Sequence, residues 1–129
     1  MTRLMVVADH GSPMASLTHT LDGIRDVEIV RHASVRGPLG PMVAKLAPDL
    51  VIVDDVHWPA LILERVAELR HHAPATAVVV LTPHPDAPWL ADALRAGAAV
   101  AANNLEGATL ARFLHEVMDD ARGPMPLVA

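Results

Sequence analysis

The stretch PDLVIVDDVHWP, residues 48–59, decides which fold this sequence can adopt. Its apolar run is short and rich in Val and Ile, which is typical of a strand that is buried on both faces of a sheet. The run stops at two adjacent aspartates, Asp54 and Asp55. The sequence thus predicts a buried strand whose carboxyl end presents carboxylates, and it raises the question of whether one of them accepts a phosphoryl group or binds a metal.

On either side of this stretch, short β-branched runs alternate with longer amphipathic runs. Strands are predicted at residues 3–8, 27–32, 48–54, 76–82 and 98–102. Helices are predicted at residues 12–23, 41–47, 59–72, 86–97 and 105–122. This alternation indicates a doubly wound α/β fold, in which helices cover both faces of a parallel sheet. Five such units in 129 residues favour the flavodoxin-like strand order 2-1-3-4-5.

The composition excludes several classes of function. The net charge is −5, and Lys and Arg do not cluster, which argues against nucleic-acid binding by this segment. The chain has no cysteine, so it can form neither a disulfide nor a Cys-zinc site. It shows no signal peptide and no apolar run of the ~20 residues that span a bilayer. We therefore expect one cytoplasmic domain at residues 1–122, without a membrane partner, and a tail or linker at residues 123–129.

Polar side chains should converge at one edge of the predicted sheet. Ligands of such sheets bind outside the carboxyl ends of the strands, where the strand order reverses. Asp9 follows the first strand, Asp54 ends the third, and Thr82 ends the fourth. Oxygen ligands placed together suit Mg²⁺, and a carboxylate beside a bound cation stays ionised and able to attack phosphorus. The alternative is structural, because Asp and Thr after a strand also form turns and cap helices.

Four segments, in this order and spacing, resemble the receiver domain of bacterial two-component response regulators over residues 2–121. They are RLMVVADH (3–10), APDLVIVDD (47–55), AVVVLTPHPD (77–86) and ALRAGA (93–98). The likeness is greatest to the LuxR/NarL-like branch, whose receivers precede a helix-turn-helix. The resemblance implies a CheY-like fold and a domain that switches protein contacts and is not an enzyme. DNA would be reached only through an effector domain beyond this chain.

The resemblance also implies which residue accepts the phosphoryl group. Asp54 stands six residues after Pro48, as the phosphoacceptor does in that family. Asp55 is the alternative, because Pro59 follows it by four residues, which is the spacing usual in the family. On the resemblance, Asp9, Asp54 and the carbonyl of Val56 would bind Mg²⁺. Thr82 would donate a hydrogen bond to the phosphoryl group.

Three parts that the family usually has are missing here. Ala8 stands where the family has the first of two acids, and Ala101 replaces an aromatic switch residue. Asn104 stands in place of a lysine that pairs with the phosphoryl group, and the only lysine, Lys45, falls in the second helix. Losing a charge-assisted contact of this kind costs about 1.5–3 kcal/mol. These departures predict an atypical receiver that accepts phosphate weakly or not at all; the alternative is a fully competent Mg²⁺-dependent receiver.

Two other kinds of site remain open on the sequence alone. His10, His57 and His84 follow the first, third and fourth strands, and imidazoles with carboxylates suit transition metals. No spaced signature such as H-E-x-x-H supports a metalloenzyme. A flavodoxin-like binder of FMN or cobalamin could use Trp58 and Trp89 for stacking.

The expected partners are proteins. A sensor kinase would supply the phosphoryl group, and a homodimer could form through the last helix. That helix carries an apolar stripe that we expect to be mostly core: Leu110, Phe113, Leu114, Val117 and Met118.

Overall fold

A computed structural model of the chain describes residues 1–8, 12–54 and 58–122, with backbone alone at 12–16 and 121–122. The strands are β1 (Thr2–Val7), β2 (Val27–Ala33), β3 (Leu50–Asp54), β4 (Ala77–Thr82) and β5 (Ala99–Ala102). The helices are α1 (Ser12–Asp22), α2 (Gly40–Leu46), α3 (Pro59–His72), α4 (Leu90–Arg95) and α5 (Gly107–Arg122). Within these ranges, no helix is both long enough and apolar enough to cross a membrane.

All five strands belong to one parallel sheet with the order β2-β1-β3-β4-β5, which confirms the predicted topology. Val7 of β1 pairs with Val53 of β3, and Asp54 pairs with Leu81 of β4. The carboxyl ends of β1, β3 and β4 therefore lie side by side at one edge. At the opposite edge, the carboxylate of Asp49 accepts a hydrogen bond of 2.8 Å from the backbone amide of Arg3.

Each face of the sheet is covered by its own apolar cluster. On β3, Val51 and Val53 pack with α2, α3 and α4, whereas Leu50 and Ile52 pack with α1 and α5. Every residue of β3 and β4 is consequently buried, as expected for strands covered on both faces. The α5 stripe is mostly core, as predicted. Three of its members are buried: Leu110, Leu114 and Met118. The other two, Phe113 and Val117, are half-buried.

The prediction that the fourth helix spans residues 86–97 is wrong at its start, because α4 begins only at Leu90. The preceding residues form hydrogen-bonded turns, with the amide of Ala87 donating to the carbonyl of His84. Pro85 and Pro88 explain this, since proline has no amide hydrogen and disfavours helical backbone in the residue before it. The predicted end is confirmed: Gly97 follows the helix with a φ of 99°, a conformation that favours glycine.

A buried arginine holds the loop between β2 and α2. Arg65 of α3 donates to the carbonyl oxygens of Val35 and Arg36 at 2.8 and 3.1 Å, and it pairs with Glu68 at 3.2 Å. The other carboxylate oxygen of Glu68 accepts the backbone amides of residues 39 and 40 at 3.0 and 2.9 Å. Arg36, positioned in this way, lies over the ring of Trp58 at 4.5 Å.

Candidate functional site

Asp54 and Thr82 reach the same edge of the sheet from neighbouring strands. Asp54 is the last residue of β3 and only 6 % exposed. It pairs with Leu81, so Thr82 lies one residue further along β4 and is fully buried. The two positions come together as the topology predicts. Their roles as phosphoacceptor and hydrogen-bond donor stay predictions.

The hydroxyl of Thr82 is held by the loop that follows β4. Its oxygen accepts a hydrogen bond from the backbone amide of His84 at 3.0 Å. A hydroxyl that accepts one hydrogen bond can also donate one, so this contact is compatible with donation to a phosphoryl oxygen. The bond orients the side chain of Thr82 at the sheet edge.

Residue 103, which the sequence reasoning did not single out, lies beside Asp54. The backbone amide of Asn103 donates to the carbonyl of Thr82 at 3.0 Å, and the residue lines the same cavity as Asp54. Asn104 is exposed in the turn after β5. Thr82 pairs with Ala102, so residue 103 is the first one beyond the sheet edge. The sequence signal was the end of the AAVAA strand, which marks residue 103 as the neighbour of the edge.

A cavity of about 170 Å³ opens beside Asp54, on the face of the sheet that α1 and α5 cover. Its wall combines four leucines with three polar residues and one alanine: Leu17, Leu81, Leu105, Leu110, Asp54, Thr20, Asn103 and Ala102. Among the described residues that line it, Asp54 is the only ionisable group, and there is neither lysine nor arginine. The lysine that the resemblance would place here is thus not replaced by another described cation in the cavity wall.

Three further residues that the sequence analysis discussed lie in or next to their predicted elements, and their bearing on phosphorylation stays a prediction. Ala8 is buried directly after β1, and its amide donates to the carbonyl of Ala33 at 3.0 Å. Ala101 is half-buried against the cluster of α1 and α5. Lys45 lies on α2, which packs on the opposite face of the sheet, so its ammonium group belongs to the other side of the molecule.

The predicted Mg²⁺ ligand set is only partly described. Asp9 and Val56 lie outside the described residues, as does Asp55, the alternative phosphoacceptor. Asp54, the described member, has the hard oxygen donors that Mg²⁺ prefers, and its Oδ1 atom is shielded from solvent. The donor chemistry of the predicted set therefore fits Mg²⁺, and its geometry stays a prediction.

The alternative of a histidine-based metal site is not supported by the described part of the chain. No group of three His, Asp or Glu side chains there is arranged to hold a metal ion. His84 is described and exposed, whereas His10 and His57 lie outside the described residues.

Comparisons with solved structures define the class of this fold. The response regulator domain of CheB from Thermotoga maritima is 24 % identical, with a TM-score of 0.71, over 97 % of this chain and 98 % of that one. The receiver domain of NarL from Mycobacterium tuberculosis is 18 % identical, with a TM-score of 0.75, over 92 % and 96 %. A LuxR-family response regulator from Aurantimonas is 19 % identical, with a TM-score of 0.79, over 91 % and 84 %.

This chain therefore has the CheY-like fold of response-regulator receiver domains, as the resemblance predicted. No family model matches the sequence, and no curated protein matches it by sequence. At identities below 25 %, the likeness establishes the fold alone.

Proposed function

We propose that this chain is an atypical receiver domain that changes its protein contacts in response to an event at Asp54 and that accepts a phosphoryl group weakly or not at all. The observation that supports this most is a buried aspartate at the carboxyl end of β3, in a CheY-like sheet, beside a cavity without a described cation. The placement of Asp54 supports a receiver, and the missing cation supports weak phosphorylation.

Phosphorylation would form an acyl phosphate on Asp54. A carboxylate oxygen attacks the phosphorus of acetyl phosphate or a phosphohistidine, and the bond from phosphorus to the leaving group breaks. Acetate would leave as its anion, whereas the released imidazole nitrogen would take up a proton. A bound Mg²⁺ would neutralise charge on the phosphoryl oxygens. Thr82 would donate a hydrogen bond to one of them.

The missing cation weakens this reaction. The phosphoryl group carries about two negative charges at neutral pH, and nearby ammonium groups stabilise it through charge-assisted hydrogen bonds. An amide from Asn103 or Asn104 can donate a hydrogen bond but carries no charge. A loss of about 1.5–3 kcal/mol corresponds to roughly a 10- to 150-fold less favourable equilibrium.

A change at Asp54 would also have to reach the rest of the domain without the rotation of an aromatic switch residue. Ala101 has no aromatic side chain that could follow Thr82. The hydrogen bond from Asn103 to the carbonyl of Thr82 instead joins the end of β4 to the segment that leads into α5. A shift at Asp54 and Thr82 would thus reach α5 through the backbone. The partners we propose are a sensor kinase, a second copy or another cytoplasmic protein, with DNA contacted only by a separate effector domain.

A phosphoryl mimic tests this proposal without a kinase. Amide NMR spectra of the whole chain would be recorded during titration with beryllofluoride in the presence of Mg²⁺. We expect shift changes that do not saturate, because the mimic is also an anion that needs a cation beside it. Saturable changes that disappear in Asp54→Asn would instead favour the fully competent receiver.

A further inference from the structure

The cavity beside Asp54 has room for a small organic molecule. It measures about 170 Å³. An apolar cavity of about 150 Å³ in another protein holds benzene, so this one accommodates a body of roughly six to eight heavy atoms. Four leucines supply its apolar part. Leu17 lies on α1 and Leu110 on α5, whereas Leu81 lies on β4 and Leu105 in the loop after β5.

Three polar residues line the same cavity as the four leucines. Asp54 stands in the wall, Thr20 of α1 is half-buried, and Asn103 is exposed. Thr20 and Asn103 can each donate and accept hydrogen bonds, whereas an ionised Asp54 only accepts them. A concave site that combines apolar side chains with a few convergent polar groups is a common form of small-molecule site.

The charge of the cavity selects the kind of molecule. Asp54 is the single ionisable group among its described lining residues. In surroundings of low dielectric constant, a carboxylate attracts a cation more strongly than it does in water. It also repels an anion more strongly than in water. A ligand with an ammonium group and a short apolar body therefore matches the wall, whereas carboxylates and phosphates do not.

We propose that this cavity binds a small organic amine, whose ammonium group lies against the carboxylate of Asp54 and whose apolar body contacts the four leucines. The amine occupies the space that a lysine side chain would otherwise need. Its consequence for signalling rests on the proposed function: a bound amine touches Leu105 and Leu110, which lead into and begin α5, and so replaces phosphorylation as the input.

Binding of defined amines to the whole chain tests the proposal. Benzylammonium and n-butylammonium would be titrated by calorimetry and amide NMR, with benzyl alcohol as a neutral analogue and benzoate as an anionic one. We expect saturable binding of at least one amine, with the alcohol about tenfold weaker or more, as the loss of a charge-assisted contact implies. No saturable binding of either amine, or equal affinity for the alcohol, would overturn the proposal.

Three variants locate the site. Asp54→Asn keeps the size of the side chain and removes its charge, so it should weaken amine binding about tenfold or more. Leu105→Phe should weaken binding by narrowing the cavity on the α1/α5 face, while it leaves the carboxylate in place. Asp92→Asn, on the exposed surface of α4, is the matched control and should bind as the wild type does. Unchanged affinity in both Asp54→Asn and Leu105→Phe, with their folds verified by circular dichroism, would contradict the assignment.

The two proposals fail separately. Amine binding is measured without a phosphoryl donor, and phosphorylation is measured without an amine. Amine binding together with stoichiometric phosphorylation would support the cavity and overturn the weak receiver. If neither amine binding nor phosphorylation is observed, the amine-binding proposal is overturned and the proposal of a weak receiver stands.

Discussion

The backbone amide of Asn103 donates a hydrogen bond of 3.0 Å to the carbonyl oxygen of Thr82, one residue beyond the end of β5. This bond fixes Asn103 at the sheet edge, beside the cavity that Asp54 lines. Asn104, which the resemblance aligns with the family's lysine, is exposed in the next position of the turn. A lysine introduced at residue 103 would therefore begin beside the cavity, whereas one introduced at residue 104 would begin from the exposed turn and reach back toward Asp54.

Introducing a lysine should restore part of the phosphorylation chemistry. We expect Asn104→Lys to raise the phosphorylated fraction above that of the wild type, because its flexible side chain can bring an ammonium group to the phosphoryl oxygens. The measurement is the intact mass after incubation with acetyl phosphate and Mg²⁺. Ala108→Lys, on the exposed surface of α5, controls for the added charge. An increase in Asn103→Lys and not in Asn104→Lys would show that the aligned register is off by one residue.

Replacing Glu68 should destabilise the fold by loosening the β2–α2 loop. The Glu68 carboxylate accepts the amides of Leu39 and Gly40 and pairs with Arg65. Glu68→Gln should lower the free energy of unfolding at pH 7 by about 1–3 kcal/mol, which urea denaturation measures. Glu64→Gln, exposed on the same helix, should change it little.

The effect of Glu68→Gln should depend on pH. Burial raises the pKa of Glu68, but the amides of Gly40 and Leu39 and the charge of Arg65 outweigh it, so the pKa lies below its ordinary value. A lowered pKa gives stability that is present above the unfolded value of about 4.3 and is lost as the pH falls through the folded value. The difference between wild type and Glu68→Gln should thus narrow below about pH 4. A difference that stays constant down to acid unfolding would exclude this account of Glu68.

Gly97 should not tolerate a side chain. Its φ of 99° lies in the region that L-residues rarely adopt, and a Cβ atom there would stand 3.2 Å from Nε of Arg70. Gly97→Ala should therefore lower the free energy of unfolding by about 1–2 kcal/mol. Gly37→Ala is the matched control, because a Cβ atom at residue 37 meets nothing within 4 Å. Equal urea midpoints for the two variants would contradict the expected strain.

The parts of the fold that the sequence predicted are those that follow from local pattern. Helix α3 begins at Pro59 and ends at His72, as predicted, because proline, apolar periodicity and a basic last turn all mark it. The fourth helix was predicted too long because its apolar spacing continues through Pro88. The helical backbone does not continue through that proline, and α4 begins only at Leu90.

The parts that the sequence did not predict depend on contacts between distant segments. The sequence pattern predicts Arg65 to be a solvated helix residue. It is instead buried, and it donates to the carbonyl of Val35, 30 positions away. Asn103 was missed because its place beside Asp54 depends on the register between β4 and β5. The cavity itself arises from α1, α5 and three strands together, and no local pattern encodes such a space.

The most direct test of the central proposal, that Asp54 is the phosphoacceptor of a receiver-like site whose described wall has no cation, is the intact mass of the chain. It would be measured after incubation with Mg²⁺ and acetyl phosphate or phosphoramidate, with Asp54→Asn alongside. The account predicts that the main species keeps its unmodified mass, with at most a minor phosphorylated fraction that Asp54→Asn lacks. A stoichiometric gain of one phosphoryl group, abolished by Asp54→Asn, would contradict it.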